Sequence, residues 1–154
     1  MKKILITAFL FMMAIMPANA KATADQVKSF FNSYVAAANN FDEKLFQKFY
    51  VQKPTIIRVV EKKDGTKQSV NVPLSVYLSE AAKGRKIGKL TGYKNTYSNI
   101  TVVPSKNDFK LSAIRHPSPG GKYPAYFIIG EDSQGHLKIK VESMNTPRQE
   151  FLKK

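Results

Sequence analysis

The sequence predicts an α+β domain in which helices lie on one face of a curved, mostly antiparallel sheet. Two observations lead to this fold class. Apolar residues recur at helical spacing in the first part of the chain, and beyond about residue 90 short β-rich runs alternate with turns. Helices gathered on one face of such a sheet give an α+β architecture. The expected order of elements is α-α-β-β-α-β-β-β-β.

The first helix is predicted from Thr23 to Ala38. Thr23 and Gln26 have the spacing of a capping box. The apolar positions that follow fall on one continuous helical stripe: Val27, Phe30, Phe31, Tyr34, Val35 and Ala38. A second, shorter helix is expected after Asp42, which can cap it, with Leu45, Phe46 and Phe49 on a shared face.

A β-hairpin and a third helix are expected next. The β-rich runs Thr55–Val60 and Lys67–Val72 flank Asp64-Gly65, a dipeptide that favours a tight turn between strands. After Pro73, the pattern predicts a helix from Leu74 to Lys83, with Gly84 as its left-handed stop. The inner face of this helix is expected to carry Val76, Tyr77 and Ala81.

Four strands are predicted in the last third of the chain, in the runs TYSNITVV, FKLSAIRH, YPAYFIIGE and HLKIKVES. The run YFIIG is apolar at both parities, which indicates a central strand. Apolar and polar residues alternate in the last run, so one face of this strand is expected to be covered by the core and the other to be wet, that is, exposed to solvent. The covered face would carry Leu137, Ile139 and Val141, and the wet face Lys138, Lys140 and Glu142. The tail NTPRQEFLKK has no clear period and is expected to fray.

The first twenty residues have the pattern of a secretory signal peptide. Lys2 and Lys3 precede an apolar run, and Ala18-Asn19-Ala20 matches an A-x-A cleavage site. We therefore expect a signal peptide at 1–20 and a single domain at 21–154. The chain contains no cysteine, which excludes disulfides and thiolate chemistry. These features together predict an exported periplasmic protein.

A strong positive charge points to anionic partners. Removal of Lys2 and Lys3 with the signal would lower the formal net charge from +14 to +12. Such a charge attracts anions over long distances, so we expect an anionic lipid or another envelope component, or an acidic protein, and contact with a membrane surface is compatible with it. The alternative explanation is a lysine-rich genome. No nucleic-acid-binding motif is present, and the sequence does not indicate an oligomeric state.

The segment VKSFFNSYVAAANNFDEKLFQKFY and the order of elements resemble the NTF2-like superfamily, whose cone-shaped α+β domains are also described as cystatin-like. The resemblance covers nearly all of residues 21–154, as architecture rather than as a motif. It implies a pocket between the curved sheet and the helices, which is catalytic in some members and only binds in others. Phe30, Tyr34 and Tyr97 are the residues expected at this pocket.

The basic segment KGRKIGK and the first hairpin are the candidate binding surface. The residues concerned are Lys83, Arg85, Lys86, Lys89, Lys62 and Lys63. In the functional interpretation, the segment is a mobile loop that contacts an anionic partner. In the structural one, Lys83 and Gly84 complete the helix and the other cations are solvated.

Catalysis is the alternative to binding. His116 lies beside Arg115 at a predicted strand end, and Tyr126 lies on the next strand; a histidine there could act as a general base near neutral pH. Ketosteroid-isomerase-like members of the superfamily use a pocket aspartate, and this chain has none within a predicted strand. No metal-binding or phosphate-binding motif is present. We therefore expect a non-enzymatic binding or accessory protein without a cofactor, which engages an anionic or amphipathic partner such as an envelope lipid, a cell-wall component or a protein of a secretion apparatus. A small isomerase or hydrolase is the alternative, and a small-molecule carrier lined by Phe30 and Tyr34 is a third possibility.

Overall fold

The computed structural model describes residues 21–118 and 120–153 of the chain, with the side chain of Lys86 excepted. The predicted signal peptide lies outside the described residues. Helix α1 spans Ala24–Asn39, and its capping box is formed as predicted: the Thr23 side chain accepts a hydrogen bond from the Gln26 backbone, and the Gln26 side chain accepts one from Thr23. Helix α2 spans Glu43–Gln47 and is capped by Asp42, as also predicted.

One six-stranded sheet forms the second layer. Its strands are β1 (Tyr50–Glu61), β2 (Lys67–Asn71), β3 (Asn95–Ser105), β4 (Asp108–Pro117), β5 (Tyr123–Glu131) and β6 (Leu137–Thr146). Their order in the sheet is β2-β1-β6-β5-β4-β3, with β1 parallel to β6 and all other neighbours antiparallel. The predicted hairpin and the central position of β5 are therefore confirmed. Strand β1 begins at Tyr50, earlier than the prediction, because its first residues pair with β6.

Helix α3 corrects the prediction for the basic segment. It spans Leu74–Thr91, and its left-handed cap is Gly92, with φ 67°, rather than Gly84. The KGRKIGK segment is thus helical and is not a loop. Gly88 faces Phe41 so closely that an added Cβ would lie 2.1 Å from the Phe41 Cζ atom. This glycine permits close packing inside the helix instead of ending it.

A β-bulge in β6 overturns the predicted alternation of this strand. Ile129 of β5 pairs with Ile139, but the preceding Ile128 pairs with Val141, so Lys140 is an extra residue. The residues after a bulge exchange faces. Ile139 faces the core as predicted, whereas Val141 turns away from it and Glu142 is fully buried. The prediction that Glu142 faces solvent is therefore wrong.

The C-terminal tail also differs from the prediction. Strand β6 continues to Thr146, and a short 3-10 helix follows at Gln149–Lys153. Phe151 of this helix is 5% exposed and belongs to the core. Leu152 also packs against the core, and the Gln149 side chain donates to the Glu61 carbonyl at 2.6 Å. These contacts hold the tail against the domain, and they give no periodic signal in the sequence.

The core lies between the inner face of the sheet and the helices. Its largest fully buried side chains include Phe31 and Tyr34 of α1, Phe127 of β5 and Leu111 of β4. Phe31 and Tyr34 each contact the ring of Phe127 with centroid distances of 5.0 and 5.7 Å. None of the helices in the described part of the chain has the length and apolar character needed to cross a lipid bilayer.

Candidate functional site

A cavity of about 520 Å³ lies between the helices and one end of the sheet. Its volume is in the range of small-molecule sites. Every helix and strand except β2 contributes to its lining, together with residues of the loop after β4 and of the C-terminal tail. Ile87, Ser118 and Arg148 line it and are exposed, so they mark its mouth.

A buried polar cluster lies beside the cavity and is centred on Glu142. Its Oε1 atom accepts a hydrogen bond from Arg58 Nη2 at 2.7 Å. Its Oε2 atom accepts hydrogen bonds from the Tyr34 hydroxyl, at 3.0 Å, and from the Tyr50 hydroxyl. Glu142 is 0% exposed and Arg58 is 4% exposed. The carboxylate thus receives the hydrogen bonds that a buried charge needs.

Strand register explains why Arg58 and Glu142 meet. On adjacent strands, Ile56 of β1 pairs with Glu142 and Arg58 pairs with Met144, so the two charged residues are diagonal neighbours on the inner face. The Arg58 guanidinium also lies over the Tyr77 ring, 4.6 Å from its centroid. Burial on its own lowers the pKa of Arg58, but the interactions with Glu142 and the tyrosines more than offset it, so the net pKa is raised.

Four tyrosines around this cluster are held in their neutral form. Burial, followed by the negative charge of Glu142, raises the pKa of Tyr34 and Tyr50 well above the ordinary value of 10.0. The same two causes raise the pKa of Tyr77 to about 12 and also raise the pKa of Tyr97. These hydroxyls therefore act as hydrogen-bond donors and not as bases at neutral pH.

A second cation, Arg115 of β4, also lines the cavity. Its strand partners are Tyr97 on β3 and Tyr123 on β5, so the three side chains form a row across the inner face. The guanidinium lies 5.3 Å from the Tyr123 ring centroid. It donates to Asn95 Oδ1 at 3.3 Å and to the Asn145 carbonyl at 3.1 Å.

The predicted catalytic group is not assembled. Arg115 and His116 are consecutive in β4 and therefore point to opposite faces of the sheet. His116 Nε2 lies 2.7 Å from Ser98 Oγ, away from the cavity lining. Tyr126 pairs with Ser112 and lines a shallow depression on the outer face. The three residues proposed for the enzymatic alternative thus do not share a site, and this part of the prediction is corrected.

Two of the three predicted pocket residues line the cavity. Tyr34 lines it from α1 and Tyr97 from β3. Phe30 is not among the lining residues; it packs edge-to-face on Phe49 with a centroid distance of 5.2 Å. The α1 stripe is broad, and Phe30 covers a part of the core away from the cavity.

The predicted basic residues lie on two separate elements. Lys83 and Lys89 are exposed on α3, where Lys83 pairs with Glu80 at 3.3 Å. Arg85 lies 3.8 Å from Glu43 of α2. The side chain of Lys86 lies outside the described part of the structure. Lys62 and Lys63 lie at the turn between β1 and β2, where the Lys62 backbone donates to the Thr66 carbonyl at 2.7 Å.

Sequence reasoning missed Arg58 and Glu142. A signal for Arg58 exists, because it occupies an inward parity between Ile56 and Val60, where a cation requires a buried counter-charge. Glu142 gave no such signal, since the bulge at Lys140 changes its parity. Within the described residues, no group of three or more histidine, aspartate or glutamate side chains is placed to hold a metal ion.

Comparison with protein-family models gives no match, and comparison with curated proteins gives none either. Many solved structures are similar in fold. An NTF2-like protein from Cytophaga hutchinsonii is 10% identical, with a TM-score of 0.63 over 81% of this chain and 98% of its own. An NTF2-like protein of unknown function from Pseudomonas putida is 12% identical, with a TM-score of 0.61 over 83% and 90%.

A third similar structure comes from Shewanella frigidimarina and is provisionally assigned as a ketosteroid isomerase. It is 13% identical, with a TM-score of 0.56 over 75% of this chain and 91% of its own. At such low identity these comparisons show the fold alone. They confirm the resemblance inferred from the sequence at the level of architecture: the chain has the NTF2-like α+β fold.

Proposed function

We propose that this protein is a non-enzymatic binding protein of the periplasm, and that its cavity holds a small amphipathic molecule. The observation that carries the proposal is the chemistry of the cavity. Apolar and aromatic side chains dominate its lining, and the fully buried carboxylate beside it is already committed to three hydrogen bonds.

The state of Glu142 argues for binding over acid–base catalysis. A general base must have a lone pair available to the proton that it removes. Both oxygen atoms of Glu142 face Arg58 or a tyrosine hydroxyl, and the side chain is 0% exposed. Tyr34 and Tyr77, which line the cavity, are held neutral by their raised pKa values. At this cluster the cavity wall therefore offers hydrogen-bond donors and apolar surface rather than a base.

A role in the cell envelope follows from the export that the sequence predicts. The proposal rests here on the signal-like pattern of residues 1–20 and on the absence of cysteine. In the periplasm, a protein that carries a small amphipathic molecule would act as an accessory factor for envelope lipids or for molecules that partition into them.

The basic end of α3 (residues 83–90) is the surface that we infer to contact an anionic membrane. Ile87 is 66% exposed and Leu90 is 87% exposed, so both present apolar surface to solvent. They lie at helical spacing from Lys83, in a segment that also carries Arg85 and Lys89. Exposed apolar residues interspersed with cations are typical of helices that lie at a lipid interface. Because Ile87 also lines the cavity mouth, docking would bring the mouth to the membrane.

Ligand binding is tested with a naphthalene probe and a variant that fills the cavity. Ala81 of α3 lines the cavity, whereas its neighbour Ala82 is exposed. We expect naphthylethanol to bind the 21–154 domain, as measured by its fluorescence, and we expect Ala81→Trp to abolish binding. Ala82→Trp is the matched control and should bind as the parent does. Failure of the parent to bind, or equal binding by both variants, would refute a role for the cavity.

A further inference from the structure

The Arg115 side chain enters the cavity wall with much of its hydrogen-bonding capacity unused. An arginine side chain has five N–H donors. Two of its nitrogen atoms donate to Asn95 and to the Asn145 carbonyl, while Nε is buried and has no partner in the described structure. A buried donor without a partner is costly. Each Nη atom has two N–H groups and a single partner, so the guanidinium also has donors left for a ligand group that accepts hydrogen bonds.

The charge of Arg115 is also uncompensated, in contrast to that of Arg58. Arg58 pairs with Glu142, but no carboxylate among the described residues forms an ion pair with Arg115. The acidic residues of the lining are Asp42, Glu43 and Glu80, and all three belong to the helical side of the cavity. Asp42 is occupied in capping α2, and Glu43 lies near Arg85.

The Arg115 side chain is held in position by its neighbours. Tyr97 and Tyr123 flank it on the adjacent strands, and the Tyr123 ring lies within cation–π distance. Gly121 makes room for that ring, because an added Cβ would lie 2.4 Å from Tyr123 Cε2. With φ at 110°, Gly121 also has a backbone conformation that other residues rarely adopt. A positioned guanidinium is well suited to bidentate recognition of a planar anion.

We propose that Arg115 binds the carboxylate of the amphipathic molecule that the cavity holds. The apolar part of that molecule would then lie against the aromatic residues of the lining, including Tyr77 and Phe151. This inference rests on the proposed function, and it narrows the ligand class to small carboxylic acids with an apolar or aromatic body.

The test compares naphthylacetate with naphthylethanol, two molecules of similar shape that differ in charge. We expect the parent domain to bind the carboxylate at least roughly 10-fold more tightly, the ratio expected for a charge-assisted hydrogen bond. In Arg115→Gln, the two affinities should become nearly equal, while binding of the alcohol remains. The preference should persist at moderate salt, which screens the long-range field of the protein but has less effect on a buried contact.

Lys110→Gln is the matched control, because Lys110 is an exposed cation on the same strand at the opposite parity. The Lys110→Gln substitution removes one charge without altering the cavity, and this variant should still bind naphthylacetate more tightly than naphthylethanol. Circular dichroism of Arg115→Gln would verify that the variant is folded, and Arg115→Lys, which retains the charge, should keep part of the preference. Equal binding of both probes by the parent would refute the inference and leave the proposed function standing. If neither probe binds to the parent domain, both the inference and the proposed function are refuted.

Discussion

Arg58 Nη2 and Glu142 Oε1 lie 2.7 Å apart, with side chains 5% and 0% exposed. Two charges are thus removed from water within an otherwise largely apolar core. Such a pair is tolerated only when its remaining hydrogen-bonding groups are satisfied. Here the Tyr34 and Tyr50 hydroxyls donate hydrogen bonds to the carboxylate, and the Ile57 carbonyl accepts a further hydrogen bond from Arg58 Nη1 at 3.0 Å. Together with Tyr34, the pair links β1, β6 and α1.

Glu142→Gln should be strongly destabilising. The substitution leaves the Arg58 charge buried without a counter-ion, and the loss of one partner of a buried pair costs about 3–5 kcal/mol. We expect the free energy of unfolding, measured with urea, to fall by an amount in this range. The double variant Arg58→Met/Glu142→Leu should recover much of it, since no buried charge remains.

The exposed pair between Arg148 and Glu150 provides the control. Its nitrogen–oxygen distance of 2.6 Å is as short, but both side chains are more than half exposed. Glu150→Gln should change the free energy of unfolding by less than about 1 kcal/mol. A loss for Glu142→Gln no larger than that of the control would contradict the energetic role of burial.

Alkaline pH should destabilise the fold through its buried tyrosines. The unfolded chain releases the phenolic protons near the ordinary pKa of 10.0, whereas the folded state retains them longer, with Tyr77 at about 12. The stabilising contribution is therefore present below pH 10 and is lost as the pH rises through the folded-state values. Far-ultraviolet circular dichroism and phenolate absorbance should change together over this interval. Early ionisation of all seven tyrosines without loss of structure would contradict the burial of these four hydroxyls.

Gly84 and Gly88 of α3 should respond oppositely to alanine. An added Cβ at Gly84 meets nothing within 4 Å, so Gly84→Ala should stabilise the helix by up to about 1 kcal/mol. At Gly88 the Cβ would meet the Phe41 ring, and Phe41 itself has a positive φ of 54° that limits its freedom. Overpacking of this kind costs roughly 1–3 kcal/mol. Thermal melts of the two variants give the comparison, and stabilisation by both would show that the Phe41 ring moves freely.

Membrane contact through the basic end of α3 predicts a selective loss of vesicle binding. The 21–154 domain should sediment with phosphatidylglycerol vesicles more than with phosphatidylcholine vesicles, and less as salt increases. Each cation near an anionic surface contributes about 1 kcal/mol. Lys83→Gln/Arg85→Gln/Lys89→Gln should therefore weaken binding strongly, and Ile87→Ser/Leu90→Ser should weaken it further.

A charge-matched control separates this surface from the net charge of the protein. Lys62→Gln/Lys63→Gln/Lys67→Gln removes the same number of cations from the first hairpin. We expect it to retain most of the vesicle binding. Equal losses in the two triple variants would mean that any positive charge suffices, and parent binding that is indifferent to lipid charge would refute membrane docking.

Local signals predicted the elements whose structure is determined locally. The capping box at Thr23, the Asp42 cap and the Asp64-Gly65 turn act within a few residues, and each formed as expected. The end of α3 was predicted wrongly because a glycine can either end a helix or allow another residue to pack closely against it. Gly84 resembled a helix stop, but the left-handed conformation occurs at Gly92. Sequence alone does not reveal that Phe41 packs on Gly88 from another part of the chain.

The residues of the candidate site are brought together by contacts between segments that are far apart in the sequence, so they were harder to predict. Tyr34 and Tyr97 were expected at the pocket from the resemblance, and both line the cavity. Arg115 was singled out beside His116, but strand alternation separates the two. The pairing of Arg58 with Glu142 joins residues 84 positions apart and depends on the register of a parallel strand pair, which no local pattern specifies.

The extra residue Lys140 has a consequence for inheritance of this core. Ile128 pairs with Val141 and Phe127 pairs with Glu142, so deletion of Lys140 would remove the bulge and leave Glu142 on the inner face beside Arg58. If the bulge were lost while Lys140 remained, the pairing would shift by one residue and Val141 would take the buried position of Glu142. Loss of this one codon should thus be easier to accommodate in evolution than other changes in the length of β6.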